Sequence, residues 1–137
     1  MRKRVYGKQL GRNTNSRKAL FRSLIASFVE HGKVKTTLSK AKAVQPEIEK
    51  ILTKAKTDSV HARRVVLARL GNDREVLDKM FSQFVSISGN RDSGYTKITK
   101  LPRRRGDNTQ EALIEWVDTP VVAEEVKEET AKKSTKK

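Results

Sequence analysis

At Gly94 the spacing of apolar residues changes from helical to alternating, and this switch constrains the fold more than any other feature of the chain. Before it, Leu20, Phe21, Leu24, Ile25, Phe28 and Val29 recur at helical intervals. Asn13, Thr14, Asn15 and Ser16 are candidate N-caps for a helix over residues 17–31, and Gly32 is its stop. Val34 and Thr36 alternate with Lys33, Lys35 and Thr37, a short strand pattern with a basic exposed face. Ser39 can cap a second helix that buries Val44, Ile48, Ile51, Leu52 and Ala55; Pro46 crowds the carbonyl of Lys42 and predicts a kink or a later start. Thr57, Asp58 and Ser59 offer a cap for a third helix through Val60, Val66, Leu67 and Leu70, closed by Gly71. Asn72 with Glu75 three residues on resembles a capping box for a fourth, buried through Val76, Leu77, Met80, Phe81, Phe84 and Val85.

After Gly94, Tyr95, Lys97, Thr99 and Leu101 alternate with Thr96, Ile98 and Lys100, and Ala112, Ile114 and Trp116 alternate with Leu113, Glu115 and Val117. Two strands follow, joined through residues 102–110, where Gly106-Asp107-Asn108 supplies the turn and Arg103, Arg104 and Arg105 its leading arm. The expected class is α+β, with about four helices on one face of a small, mainly antiparallel sheet, and the strand around Val34 a candidate third member.

The charge is unevenly placed. Of 137 residues, 31 are Lys or Arg and 16 Asp or Glu, a net charge of +15 that implies a polyanionic partner. Residues 1–42 hold twelve basic groups and one acid, whereas 43–90 hold eight against six. A second patch runs from Lys97 through Lys100 to Arg105 without an acid. Residues 1–13 read as an extended basic arm, 14–118 as a single globular domain, and 119–137 as a disordered charged tail whose composition cannot offset the entropy of ordering. The arm has the charge of a signal peptide but no apolar stretch after it, and no run of apolar residues is long enough to cross a bilayer. A mitochondrial transit peptide would share the acid-free composition of residues 1–22 but would need an apolar face, which the stretch before Arg17 lacks.

Catalysis finds little support. There are no cysteines, and the two histidines, His31 and His61, fall on different predicted helices with no carboxylate pair beside either. Asp58, Ser59 and His61 offer triad members but sit at a helix start, where Asp and Ser serve as caps. Asp73, Glu75 and Asp78 suit the first turn of a helix without any metal. Gly7 to Gly11 lacks the flanking strand and helix of a phosphate loop. No enzyme activity, cofactor, metal or small-molecule substrate is therefore expected.

RNA fits the basic groups better than a generic anion does. The arm is polar and interrupted by Gly7 and Gly11, so it can thread into grooves closed to a globular face. Arginine supplies 13 of the 31 basic groups, and its planar fork grips phosphate bidentately and stacks on unpaired bases. Tyr6 stands within the arm, where it can stack on a splayed base or remain a surface tyrosine. The candidate contacts are Arg2, Lys3, Arg4, Tyr6, Lys8, Arg12, Arg17, Lys18, Arg22, Lys33, Lys35, Lys40, Lys42, Arg63, Arg64, Lys97, Arg103, Arg104 and Arg105. A DNA-bending protein would be similarly small and basic but calls for a dimer seam and an intercalating wedge; an RNA-modifying enzyme calls for a cofactor loop or an acid and base pair.

Several blocks in order carry a family likeness. Gly7-Lys8-Gln9-Leu10-Gly11-Arg12, Arg17-Lys18-Ala19-Leu20-Phe21-Arg22, Val34-Lys35-Thr36-Thr37-Leu38 and Lys40-Ala41-Lys42 are followed by Ala55-Lys56-Thr57-Asp58-Ser59-Val60 with Arg63-Arg64. Gly94-Tyr95-Thr96-Lys97-Ile98, Arg105-Gly106-Asp107-Asn108 and Ala112-Leu113-Ile114-Glu115 complete the set. The chain from about residue 2 to 118 resembles the bacterial large-subunit ribosomal protein L-seventeen family. The resemblance implies a cytoplasmic, monomeric constituent of the ribosome that binds large-subunit rRNA near the exit of the nascent-peptide tunnel, beside other large-subunit ribosomal proteins. Ser16 stands where that family commonly has histidine, Ser93 where it usually has glycine, and Trp116 where a smaller apolar residue is usual.

Overall fold

The computed structural model of the protein describes residues 8–84 and 91–118. Helix α1 (Thr14–His31) begins three residues before the expected start at residue 17, because Asn13 is the cap: its side chain accepts from Ser16 N at 2.8 Å. Gly32 ends it with φ +71° and donates to the Phe28 carbonyl, a left-handed cap that glycine adopts without steric cost. One residue later the chain enters strand β1 (Lys33–Thr37), and it passes directly into helix α2 (Leu38–Ala55).

The start of α2 differs from the expected one. Thr37 holds the N-cap position and makes no side-chain capping bond, while Ser39 lies inside the helix. The strand leads into the helix without a loop, so the cap position falls to the last strand residue. Pro46 sits inside α2 and does not delay its start. The expected apolar positions Val44, Ile48, Ile51, Leu52 and Ala55 are all buried, joined by Ala41.

Ser59 caps helix α3 (Val60–Leu70) through Ala62 N, and Gly71 closes it with φ +84°. Val60, expected in the core, is 68% exposed, since the first turn of α3 projects beyond its packed stripe. Asn72 is not the next cap: it adopts φ +68° and donates its amide to Leu67 O, completing the end of α3. Asp73 caps helix α4 (Arg74–Lys79) instead, accepting from Val76 N. A five-residue π-helix (Met80–Phe84) continues α4, where a single longer helix was expected. Val76, Leu77, Met80 and Phe81 are buried; Val85 and the Phe84 side chain lie outside the described residues.

Strands β2 (Thr96–Arg103) and β3 (Gln110–Trp116) form the antiparallel hairpin, and β1 pairs with the other side of β3, giving the order β1-β3-β2. Strand β2 runs past Pro102, with a register shift between Lys100 and Arg103. A proline is tolerated there because β2 is an edge strand and loses no necessary ladder donor. All four helices follow the expected α+β plan, and α2 packs on the inner face of the sheet, where Val34, Ala112, Ile114 and Trp116 are buried. The Trp116 ring lies 4.3 Å from that of Phe28, tilted by 38°, so the large residue closes the layer between α1 and the central strand.

Two polar anchors hold β2 to α2. Glu49 accepts from Tyr95 N, Thr96 N and Thr96 Oγ1 at 3.2, 3.1 and 2.8 Å, satisfying donors at the start of the strand. Gln45 Nε2 donates to Thr96 O at 3.1 Å.

Candidate nucleic-acid interface

Strand register sorts the basic residues onto faces. Lys33, Glu115 and Lys97 stand opposite one another across the sheet, as do Lys35, Leu113 and Thr99, so Lys33, Lys35 and Lys97 share the face turned away from the helices. That face is largely neutralised. Lys35 pairs with Glu111 at 2.7 Å and Lys97 with Glu115 at 3.3 Å, while Lys33 has no ion-pair partner among the described residues.

The opposite arrangement holds at one end of the sheet. Strand β1 ends with Thr37 opposite Glu111, one residue past the start of β3, so the N-terminus of α2 leaves from the end at which the hairpin turns. Lys40 and Lys42 on α2 therefore share that end with Arg103, Arg104 and Arg105. Lys42, Arg103 and Arg105 are exposed and carry no ion pair among the described residues, and Lys40 is half-buried without one. Lys100, absent from the sequence candidates, is also exposed at this end and unpaired; its place in the acid-free run from Lys97 to Arg105 was the available signal.

Arg104 is committed within the hairpin. Its Nη2 and Nε donate to Asp107 at 2.6 and 3.2 Å, and Asp107 also accepts from Thr109 N and Oγ1. The hydrogen bonds from Arg104, followed by those from Thr109, hold the Asp107 carboxyl well below the usual carboxylate range, and the same pair raises the Arg104 guanidinium. Asp107 thus fixes the turn and leaves Arg103 and Arg105 on either side of the occupied fork.

Other candidates are drawn into the fold. Arg22 on α1 donates to the carbonyls of Arg69 and Ala68 at 3.3 and 3.4 Å, closing the C-terminal end of α3 from 47 residues away. Arg63 pairs with Asp58 at 2.7 Å and lies 4.7 Å over the Phe81 ring; the hydrogen bond between the pair lowers the Asp58 pKa and raises that of Arg63. Arg64, one residue on, is exposed with no ion-pair partner among the described residues. Near the arm, Gln9 to Arg12 form a tight turn with φ +54° at Leu10 and +63° at Gly11, and Arg17 Nη1 donates to Arg12 O at 3.3 Å. Arg12 itself donates to Leu10 O. Lys8 and Lys18 are exposed. Arg2, Lys3, Arg4 and Tyr6 lie outside the described residues.

Helix polarity sharpens the pattern. Neither α1 nor α2 has an acid in its first turn, and both place cations near the positive end of the helix dipole: Arg17 and Lys18 on α1, Lys40 and Lys42 on α2. A cation within the first turn costs an isolated helix roughly 0.3–1 kcal/mol, and the effect fades for those just beyond it. Helix α4 shows the self-sufficient alternative, with Asp73 at its cap and Glu75 in its first turn. Neither of the first two helices supplies its own first-turn acid, as α4 does.

Comparison with known proteins gives this arrangement a family. The model of the family described as Ribosomal protein L17 matches residues 20–117. The protein named Large ribosomal subunit protein bL17 from Chloroflexus aurantiacus is 49% identical over 117 residues, covering 85% of this chain and 100% of that one. The same-named protein of Chloroflexus aggregans matches to the same extent, and that of Persephonella marina is 46% identical over 121 residues, covering 88% of this chain and 98% of its own. With both the helical body and the hairpin inside the matched span, this chain belongs to the ribosomal protein L17 family.

Proposed function

We propose that the protein is a structural constituent of the large ribosomal subunit, working in the cytoplasm within the ribosome, and that it binds and compacts large-subunit rRNA. The carrying observation is the set of unpaired cations at the hairpin end, Lys40, Lys42, Lys100, Arg103 and Arg105, beside a helix whose first turn holds no acid. RNA compaction brings phosphates close together, and fixed cations on a rigid body lower the repulsion between them. The basic residues of the N-terminal segment, with exposed Lys18 near the start of α1, supply further cations for the same partner. The paired lysines on the open sheet face suit a protein neighbour better than a phosphate backbone, because their charge is already met. Placement near the exit of the nascent-peptide tunnel, as a monomer beside other large-subunit proteins, follows from the family resemblance. Catalysis has no part in this reading.

Sedimentation of cell extract at low magnesium tests it. The protein is expected to travel with the large subunit; a free or nucleoid-bound pool would exclude the assignment.

A further inference from the structure

Between α2 and α3 runs a groove of about 440 Å³ whose floor is formed by Ile51, Val65 and Val66. Its rim carries Lys50, Lys54 and Arg69 together with Glu47 and Glu49, and Ser93 closes one side; Glu49 is occupied by the start of β2. Arg69 and, more weakly, Lys50 share Glu47 at 3.2 and 3.7 Å, whereas the Lys54 ammonium has no partner among the described residues. An apolar floor beside a free ammonium, with the rim carboxylates already engaged, invites an occupant that is apolar in the middle and acidic at the Lys54 side.

The chain itself carries such a segment at the right place. Asp118, the last described residue, is gripped by Arg91 through two hydrogen bonds of 2.6 and 3.2 Å. Arg91 is in turn tied to the end of α2, its carbonyl accepting from Lys56 Nζ and from Tyr95 Oη. Arg91 is two residues in sequence from Ser93, so the C-terminal segment departs from a point tied close to the groove. It reads Thr119-Pro120-Val121-Val122-Ala123-Glu124-Glu125, and it lies beyond the family match, which ends at residue 117. Three residues past the Arg91 anchor, Val121 can reach roughly 10 Å from Asp118.

We propose that this C-terminal segment docks on its own domain, with Val121 and Val122 on the groove floor and Glu124 and Glu125 against Lys54 and Lys50. Two valines and two exposed ion pairs bind weakly as free groups, but a tether of a few residues raises their effective concentration to the millimolar range. Docking covers apolar surface and neutralises cations on the side of the domain away from the hairpin end, leaving that end free for RNA.

The absence of cysteine in the native sequence permits a direct test in the full-length chain. Ala123→Cys carries a nitroxide spin label, and relaxation of backbone amides is read by NMR. The expected result is loss of the Ile51, Lys54, Val65 and Val66 signals, restored when Val121→Asp and Val122→Asp are added to the labelled chain. Quenching confined to the Arg91 to Tyr95 region, or unchanged by the two aspartates, overturns the proposal. So does quenching that appears when labelled chains are mixed with unlabelled, isotope-enriched ones, which would make a second copy the occupant.

Discussion

Glu49 and Thr96 lie 47 residues apart and are joined twice, Glu49 Oε1 accepting from the Thr96 amide at 3.1 Å and from its hydroxyl at 2.8 Å. With Tyr95 N on the other carboxylate oxygen, a single side chain of α2 fixes where β2 begins. Removing it leaves part-buried donors without acceptors. Glu49→Ala is expected to cost about 2–3 kcal/mol in urea denaturation, and Glu49→Gln less, because one carbonyl oxygen can still accept. Equal stability of Glu49→Ala and the wild type would show that the strand start is held by packing alone.

Gly71 and Gly32 both close helices in the left-handed region, but their surroundings differ. A Cβ at Gly71 would approach Arg22 Cδ, Nε and Cζ at 3.1 to 3.2 Å, whereas one at Gly32 meets Trp116 Cδ1 at an ordinary 3.6 Å. Each alanine carries a backbone penalty of roughly 1–2 kcal/mol. Gly71→Ala is expected to be the more destabilising, since it also displaces Arg22 from the carbonyls of α3. Combined with Arg22→Ala, its effect is expected to fall short of the sum by roughly 0.5 kcal/mol or more. Thermal or urea unfolding of the four proteins reads this directly, and strict additivity would separate Arg22 from the cap.

Asp107 sets the pH behaviour of the hairpin. Its folded pKa is depressed below the ordinary value of 3.8 by Arg104 first and Thr109 second. A depressed carboxylate contributes stability that is fully present above the unfolded pKa and is lost as pH falls through the folded one. The turn is therefore expected to be unchanged between pH 5 and 8, with the Thr109 amide resonance shifting only well below about pH 4. A midpoint at or above the ordinary carboxylate value would mean that the Arg104 pair is not formed in solution.

The salt dependence of RNA binding separates free from committed arginines. If about eight cations displace counterions, the log-log slope of affinity against salt is expected near −6 to −7. Arg103→Ala with Arg105→Ala is expected to make it shallower by roughly 1.4 to 1.8, at ~0.7 to 0.9 per contact. Arg104→Ala is expected to change it less than Arg105→Ala does, because Asp107 already holds that guanidinium. A larger effect of Arg104 would reverse the ranking of the hairpin arginines.

Much of this architecture is legible in the sequence because it depends on neighbours. The stripes of α1 and α2, the closing glycines at 32 and 71, and the alternation in β2 and β3 are local signals, and each appears where its pattern places it. The errors are local too, where two solutions compete. Ser39 gives way to Thr37 because a strand runs straight into the helix, and Asn72 gives way to Asp73 because the end of α3 claims Asn72 first. What sequence spacing does not reveal is the long-range use of charge. Arg22 reads as an exposed cation yet closes a helix far along the chain, and the company of Lys40 with Arg103 emerges only once β1 is seen to pair with β3. Composition marks which residues are basic; the strand register decides which of them remain free.

A map of the assembled large subunit, at a resolution that shows side chains, bears most directly on whether those free cations meet RNA. Phosphate oxygens are expected within hydrogen-bonding distance of the Arg103 and Arg105 guanidinium groups and the Lys40 ammonium. If all three instead face bulk water or another protein, the hairpin end is not the binding surface and the account fails.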